Sequence, residues 1–370
     1  MPSLEQYKDK ILVLYGCTNA SLNPIQYPTE MYVDIIRKHI ANGKTKVIFF
    51  NSPEGLIKPI TRKIQAIAHV LKELPKDTIY INSAGLEAKR IYNEYCDKHN
   101  LEKLIGQLIS HNYQWVMGQS KHFLNNHFQG KEIEYNIKIK SKKFNCFNKI
   151  HRYHRLELLA RMVETKLFDL GYYSFEGGSK GWQELILKSD LYPINIKKLI
   201  IEKKFPIRLE GGIREDRHNP IAIEEGDLVY HDDSYFSVIT ETLFYQTHEE
   251  KNKLMLSGNM DGVFLSEKTY RPILLKHPFI LFAMPNSLSE LRKAGYKTFS
   301  PYIDESYDTI QDGNERFNAV FKEIQRLCAF TDEEWLTWQA NIKPIVDHNH
   351  RILVNKSDHA VKDYGYLFRN

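Results

Sequence analysis

The sequence predicts an α/β protein with two domains, each built on a parallel β-sheet. Short apolar runs alternate with longer segments of helical periodicity along most of the chain. This alternation is typical of strand–helix units whose strands are parallel. The 370 residues are also enough for two domains of ordinary size, each with its own hydrophobic core.

The first half of the chain contains three predicted strand–helix units. The strands are predicted at Lys10–Gly16, Lys46–Phe50 and Thr78–Asn82, and the helices at Thr29–Ile40, Ile60–Leu74 and Leu86–His99. Each strand is a short apolar run, and each helix repeats apolar residues at helical spacing. Ligands of parallel sheets bind beyond the carboxyl ends of the strands, which here carry Gly16–Ser21, Asn51–Gly55 and Asn82–Gly85.

A second alternating series follows the lysine-rich stretch Lys138–Lys143. A strand predicted at 132–147 spans this stretch, and its end at Phe144–Phe147 opens the second series. The further strands are predicted at 171–175, 235–245 and 278–283, and the helices at 151–170, 182–188, 194–203, 287–294, 314–328 and 332–346. Residues 206–233 are charged and contain glycine, which predicts a loop. The predicted domains are therefore 1–140 and 141–345, followed by a C-terminal segment, 346–370.

Charge is distributed unevenly between the two halves. Residues 1–150 carry 22 basic and 13 acidic residues, whereas the remainder carries 29 and 33. A basic first half indicates that the two halves bind different partners, nucleic acid being one candidate for the first. A lysine-rich protein composition of the kind that AT-rich genomes encode explains the same excess.

Neither a membrane span nor a cysteine framework is predicted. The longest apolar stretch, Pro272–Pro285, is interrupted by Lys276 and His277 and is shorter than the ~20 residues that cross a bilayer. The N-terminus does not resemble a signal peptide, so we expect a cytoplasmic protein. The cysteines are scattered and are predicted to be buried free thiols; they are Cys17, Cys96, Cys146 and Cys328.

The most informative motif is Ser266-Glu267-Lys268-Thr269-Tyr270-Arg271-Pro272. Because proline is well accommodated in the first turn of a helix, the helix begins near Pro272, or it begins earlier and bends there. Either alternative places Lys268 and Arg271 close to a helix N-terminus, where backbone N–H groups and the helix dipole favour a phosphate. Glu267 can accept hydrogen bonds from sugar or ribose hydroxyls. The alternative interpretation is a surface Glu267–Arg271 ion pair.

A second basic cluster follows the strand that ends at Phe147. It runs from Asn148 to Arg155 and includes Arg152, at the start of a strongly amphipathic helix. The alternative interpretation is a solvated, arginine-rich first turn, but cations at a helix N-terminus oppose the helix dipole and need a compensating reason. Arg155 is suited to bidentate contact with a diphosphate.

In combination, these segments resemble a group of phage and giant-virus glycosyltransferases that are distantly related to the α1,3-fucosyltransferases. The resemblance covers residues 144–311 and includes the pattern from Asn148 to Arg155, Glu241 on an apolar strand, and Glu267-Lys268-Thr269-Tyr270. Ser266 stands where the fucosyltransferases usually have threonine. The resemblance implies a GT-B-like fold, in which two Rossmann-like domains face each other across a cleft.

The resemblance also implies roles for the domains and for individual residues. Residues 1–140 would bind the acceptor, residues 141–345 the nucleotide-sugar donor, and residues 346–370 would pack back on the first domain. Lys268 would contact the donor diphosphate, Glu267 the ribose or sugar, and Arg155 the phosphates. The full set of predicted donor-binding residues is Asn148, Arg152, Arg155, Glu241, Glu267, Lys268, Tyr270 and Arg271.

The predicted reaction transfers a hexosyl or pentosyl group from a nucleotide-sugar to a hydroxyl acceptor with inversion. It needs a general base and positive charge on the leaving diphosphate, but neither a metal ion nor a further cofactor. The base is expected in the first half, where Glu54, Glu87, His111 and His122 are candidates.

Two alternative functions remain open at this point. The first keeps the chemistry but makes the acceptor a hydroxylated base of viral DNA, because the first half is basic and the polar, aromatic run His111–His127 could accommodate a flipped base. The second is a nucleic-acid-binding protein whose arginine-rich turns contact phosphates without catalysis.

Overall fold

The described β-strands form two separate sheets. The computed structural model describes residues 11–15, 29–43, 46–50, 57–83, 88–110, 133–178, 180–209, 225–245 and 263–369. Within these residues eight strands form two four-stranded sheets, and every neighbouring pair of strands is parallel.

The first sheet is assembled in the order of the chain. Its strands are β1 (Ile11–Tyr15), β2 (Lys46–Phe50), β3 (Ile79–Ser83) and β4 (Gln107–Ser110), in the order β1-β2-β3-β4. The helices between them are α1 (Thr29–Ala41), α2 (Ile57–Ala66), α3 (Ala68–Leu71) and α4 (Ala88–Lys98). Alternate strand residues such as Val47, Phe49 and Ile81 join helix residues such as Ile36 and Tyr92 in one core, as the two-residue period of a strand requires.

The second sheet has a different strand order. Its strands are β5 (Lys142–Ile150), β6 (Gly171–Gly177), β7 (Ser234–Thr240) and β8 (Phe279–Phe282), in the order β6-β5-β7-β8. The helices are α5 (Tyr153–Glu164), α6 (Trp182–Lys188), α7 (Ile194–Glu202), α8 (Glu225–Asp232), α9 (Glu267–Leu274), α10 (Ser287–Lys293), α11 (Gly313–Cys328) and α12 (Asp332–Arg369). Every side chain of β8 is buried, as expected for a strand of a parallel sheet with both faces covered.

The chain divides into two compact units. Among the described residues, the first unit comprises 11–110, 263–264 and 359–369, and the second comprises 133–245 and 265–358. Each unit therefore contains one parallel sheet with its own buried side chains. The predicted α/β class with two Rossmann-like sheets is confirmed.

Several elements differ from the prediction. The strand predicted at 132–147 is β5, which starts at Lys142 and continues to Ile150, and residues 133–141 before it do not belong to a strand. β4 was not predicted, and α8 lies inside the predicted loop 206–233. β7 ends at Thr240 instead of Tyr245, because residues 241–245 are buried but have left the sheet. α12 continues to Arg369 instead of ending at Val346, and Pro344 lies inside it.

The cysteine and membrane predictions can be compared with the described part of the chain. Cys96, Cys146 and Cys328 are free and buried, as predicted, whereas Cys17 lies outside the described residues. None of the described helices combines the length and the apolar character that crossing a membrane demands.

Candidate functional site

The second sheet contains a reversal in strand order that the first sheet lacks among its described strands. The chain places β6 on one side of β5 and then returns to place β7 on the other side. The connections after β5 and β7 therefore leave in opposite directions and open a crevice beyond the carboxyl ends of these two strands. Ligands of open α/β sheets bind at such a crevice. We call the ends at Ile150, Gly177, Thr240 and Phe282 the carboxyl edge of the second sheet.

Helix α9 begins next to this edge. Ser266 is its N-cap residue, with extended backbone and a side-chain hydroxyl that accepts a hydrogen bond from the Lys268 N–H, at 3.3 Å. Serine is a preferred N-cap residue because its oxygen satisfies one of the unpaired N–H groups of the first turn. The helix thus begins at Glu267, and Pro272 lies inside it. Of the two predicted positions for this helix start, the earlier one is correct.

Glu241 holds the start of α9 in place. This residue directly follows β7, and its side chain is completely buried. One carboxylate oxygen accepts hydrogen bonds from the Ser266 N–H at 2.8 Å and from the Thr269 hydroxyl at 2.6 Å, and the other accepts from the Ser266 hydroxyl at 2.6 Å. A buried carboxylate is stable only when it is hydrogen-bonded in this way. The structure therefore gives Glu241 a positioning role; direct contact with a ligand stays a prediction.

Glu267 and Lys268 form an ion pair in the first turn of α9. Their Oε1 and Nζ atoms are 2.5 Å apart, and their side chains retain 15% and 24% exposure, so a ligand can reach them. Burial raises the pKa of Glu267. The positive charge and hydrogen bond of Lys268, with the charge of Arg271, outweigh this effect, so the pKa lies below its usual value. The carboxylate is therefore ionised, and its charge also suits a helix N-terminus.

Arg155 bridges the two strands that border the crevice. Its guanidinium donates to the Ile150 carbonyl at 2.8 Å and to the Thr240 carbonyl at 2.9 Å, and more weakly to the Glu241 carbonyl at 3.4 Å. These carbonyls belong to the ends of β5 and β7. Arg155 was predicted to contact phosphates; in this structure both of its terminal nitrogens donate to the protein's own backbone.

His154 makes a second link between the start of α5 and the end of β7. Its Nε2 atom lies 3.0 Å from the Glu241 carbonyl, and its ring stacks on Phe244. Burial, together with the charge of Arg155, holds the pKa of His154 well below its usual range. The neutral ring must carry its hydrogen on Nε2, because a carbonyl oxygen can only accept.

Asn148 lies within the sheet, on β5. Its amide nitrogen donates to the Cys146 sulfur and to the Tyr173 hydroxyl, both at 3.2 Å, and its oxygen accepts from the Thr240 hydroxyl at 2.5 Å. These bonds connect three neighbouring strands, and the side chain is 3% exposed. The described geometry is therefore that of a cross-strand link below the carboxyl edge.

The remaining predicted donor-binding residues occupy two kinds of position. Arg152 is half-buried at the start of α5, a helix with no side-chain cap. Arg271 is buried on α9, and its positive charge acts on the Glu267 carboxylate. Tyr270 is 2% exposed and packs against Tyr296, so its ring anchors α9 to the interior of the unit.

One residue at this edge was not among the predicted site residues. His151 follows β5 directly, and its ring stacks on Trp182 with centroids 5.1 Å apart and planes at 18°. Its Nδ1 atom lies 3.0 Å from the Gly177 carbonyl. The signal in the sequence was its position directly after a strand and next to Arg152.

The four candidates for the general base cannot be placed. Glu54, Glu87, His111 and His122 all lie outside the described residues. Within the described part of the chain, no group of three or more metal-ligating side chains lies close enough together to hold a metal ion. The side chains that the described residues place at this edge are cations and carboxylates at helix starts of the second unit.

Comparisons with known proteins give distant similarities. No protein-family model matches the chain, and no curated protein matches it. A UDP-forming alpha,alpha-trehalose-phosphate synthase from Burkholderia xenovorans is similar over 97% of this chain and 73% of its own, with 10% identity and a TM-score of 0.43. The corresponding enzyme from Burkholderia vietnamiensis is similar over 90% and 69%, with 10% identity and a TM-score of 0.41.

A third solved structure is the N-terminal domain of Candida albicans trehalose-6-phosphate phosphatase. It is similar over 97% of this chain and 73% of its own, with 10% identity and a TM-score of 0.40. Likenesses at this distance carry no functional argument, so the function has to be argued from the residues of the site.

Proposed function

We propose that this chain is a glycosyltransferase that binds a nucleotide-sugar at the carboxyl edge of the second sheet. The observation that carries the proposal is the start of α9. Buried Glu241 fixes it at the strand-order reversal, and it presents the partly exposed pair Glu267 and Lys268. Arg152 lies at the start of α5, the helix whose His154 and Arg155 contact the Glu241 carbonyl.

This arrangement suits a diphosphate on chemical grounds. A helix N-terminus offers N–H groups and a favourable dipole, and a lysine ammonium strengthens the binding of an anion there. A diphosphate would compete with the Glu267 carboxylate for the Lys268 ammonium. Glu267 could then accept hydrogen bonds from ribose or sugar hydroxyls, and the cations would stabilise the leaving diphosphate in the transition state.

The finer features of the reaction belong to the same proposal. Transfer of a hexosyl or pentosyl group with inversion, without a metal ion, would use the cations of the second unit and a base from the first half. The candidates for that base remain Glu54, Glu87, His111 and His122. A relationship to the phage and giant-virus enzymes rests on the motifs around Arg155 and Lys268.

The acceptor separates two versions of the proposal. In the first version, the acceptor is a glycan or another small molecule with a hydroxyl group. The excess of basic over acidic residues in the first 150 positions favours hydroxylated viral DNA as the second, because phosphate contacts dominate the affinity of proteins for DNA. Addition of modified and unmodified DNA to a donor-loaded enzyme distinguishes the two.

The test is a thermal-shift screen with UDP-, GDP-, ADP- and CMP-linked sugars. A donor at 100 times its dissociation constant stabilises the folded state by about 2.7 kcal/mol. We expect one nucleotide class to raise the melting temperature of the wild type but not that of Lys268→Ala. Each variant is compared with its own ligand-free state, so a change in basal stability does not affect the result.

Lys322→Ala is the matched control, because Lys322 is an exposed lysine on a different helix, α11. It should retain the full stabilisation. No stabilisation by any donor, together with tight DNA binding that weakens steeply with salt, would overturn the proposal in favour of a non-catalytic nucleic-acid-binding protein.

A further inference from the structure

The ring of His151 is held from three directions at the carboxyl edge of the second sheet. It stacks on Trp182, and Nδ1 is bonded to the Gly177 carbonyl at 3.0 Å. The backbone of Gly178 closes the third side, because a Cβ atom added there would lie 2.4 Å from Nδ1. A side chain at position 178 would therefore displace the ring, and glycine is the residue that lets the ring approach.

The hydrogen-bond partner of Nδ1 determines the state of the other ring nitrogen. A carbonyl oxygen can only accept, so Nδ1 carries the hydrogen and Nε2 carries a lone pair in the neutral ring. Within the described part of the chain, Nε2 has no hydrogen-bond partner, and the side chain is only half-buried. The fold uses one nitrogen of this ring and leaves the other available as an acceptor.

The surroundings keep the ring neutral. Burial lowers the pKa of His151, and although its bond to the Gly177 carbonyl raises the pKa, the charges of Arg152 and Arg155 lower it further, with a net decrease. A neutral imidazole accepts a hydrogen bond, whereas an imidazolium only donates. Arg152 and Arg155 also place this acceptor beside positive charge, and the proposed function uses positive charge at this edge to bind the donor diphosphate.

We propose that Nε2 of His151 accepts a hydrogen bond from an O–H or N–H group of the bound nucleotide-sugar. The inference rests on the proposed function, because it assigns a contact within the same ligand. Both the imide or amide N–H of a base and the hydroxyls of ribose or sugar have this chemistry. His151 is therefore proposed as a ligand-contacting residue, in addition to its packing against Trp182.

Two near-isosteric substitutions separate the packing role from the ligand contact. In His151→Asn, the amide nitrogen takes the place of Nδ1 and can keep the bond to the Gly177 carbonyl, but no atom replaces Nε2. In His151→Gln, the amide reaches the position of Nε2 and its oxygen can accept. We expect the melting temperature of the ligand-free His151→Asn protein to stay within about 2 °C of the wild type.

The measurement is the dissociation constant of the nucleotide-sugar found by the donor screen, obtained by isothermal titration calorimetry on the full chain. Because His151→Asn loses one neutral hydrogen bond, we expect it to bind the nucleotide-sugar about 3- to 10-fold more weakly than the wild type. His151→Gln should recover part of this loss. The corresponding nucleoside diphosphate forms the second arm: equal weakening of both ligands identifies the base or ribose, and weakening of the intact donor alone identifies the sugar.

The outcomes distinguish this inference from the proposed function. If the wild type binds no nucleotide-sugar, the proposed function fails, and the contact of His151 fails with it. If the wild type binds a donor, the proposed function stands. The His151 contact is then overturned if His151→Asn binds the donor as tightly as the wild type does, or if His151→Asn and His151→Gln bind it equally.

Discussion

At the scale of single residues, Glu241 shows how a buried carboxylate can hold the start of a helix in place. It was predicted as a donor-binding residue, and its carboxylate accepts three hydrogen bonds from Ser266 and Thr269. Burying a charge is costly unless hydrogen bonds replace those of water. Glu241 therefore couples the end of β7 to the start of α9, and hence to the position of Lys268.

Replacing Glu241 by glutamine should destabilise the protein by about 1–2 kcal/mol. The amide keeps the size of the side chain, but its NH₂ group cannot accept and would face a donor. The free energy of unfolding in urea measures the effect. Glu164→Gln, at an exposed position on α5, is the control and should change stability by less than about 0.5 kcal/mol. Equal stabilities of the two variants would contradict the positioning role.

The sequence predicted part of this site, because the position of Lys268 depends on local signals. The serine before a glutamate–lysine pair and the proline that follows define a helix start within a few residues. The partners of Arg155 and Asn148 could not be predicted in the same way. They include Thr240, 85 and 92 residues away in the chain, and only the pairing of β5 with β7 brings it close.

At the scale of elements, β7 and α12 show where apolar patterns mislead. Residues 241–245 are as buried as a strand, but Phe244 packs on Phe282 and Phe317 outside the sheet. An apolar run predicts that a segment is buried more reliably than it predicts that the segment pairs in a sheet. The helix predicted at 332–346 is the first part of α12, which continues to Arg369.

Helix α9 should depend on its cap. Ser266→Ala removes both the acceptor for the Lys268 N–H and the donor to Glu241, so we expect a loss of about 1–2 kcal/mol. Ser266→Thr keeps the hydroxyl, and threonine is the residue that the fucosyltransferases usually have at this position. It should retain most of the stability. Thermal unfolding of both variants tests this, and equal losses would show that the hydroxyl contributes little.

At the scale of the whole molecule, local patterns predicted two α/β units but not the order of the strands. Strand order depends on which strands pair when the chain folds. The apolar runs of β5, β6 and β7 do not predict this pairing. The reversal that locates the crevice therefore came from the structure. The domain boundaries, the acceptor and the C-terminal segment's role remain predictions, as do those features that fall on residues 111–132.

The stability of the second unit should fall in mild acid, because it buries two neutral histidines. His154 and His277 are 1% and 3% exposed. Burial holds both pKa values well below the usual range, with added effects from the charge of Arg155 on His154 and of His231 and Lys140 on His277. The unfolded chain binds these protons near pH 6.5, whereas the folded chain does not.

Between the lowered pKa values and pH 6.5, the unfolded state therefore binds more protons, and the free energy of unfolding must rise with pH. Each histidine contributes up to about 1.4 kcal/mol per pH unit in this window. Urea unfolding from pH 8 to pH 5 should be nearly level above pH 7 and should fall below it. His277→Gln should reduce the slope, whereas His69→Gln, at an exposed position on α3, should leave it unchanged. A free energy of unfolding that is independent of pH between 5 and 6.5 would mean that these rings bind protons in the folded protein as they do in the unfolded chain, which would contradict the lowered pKa values.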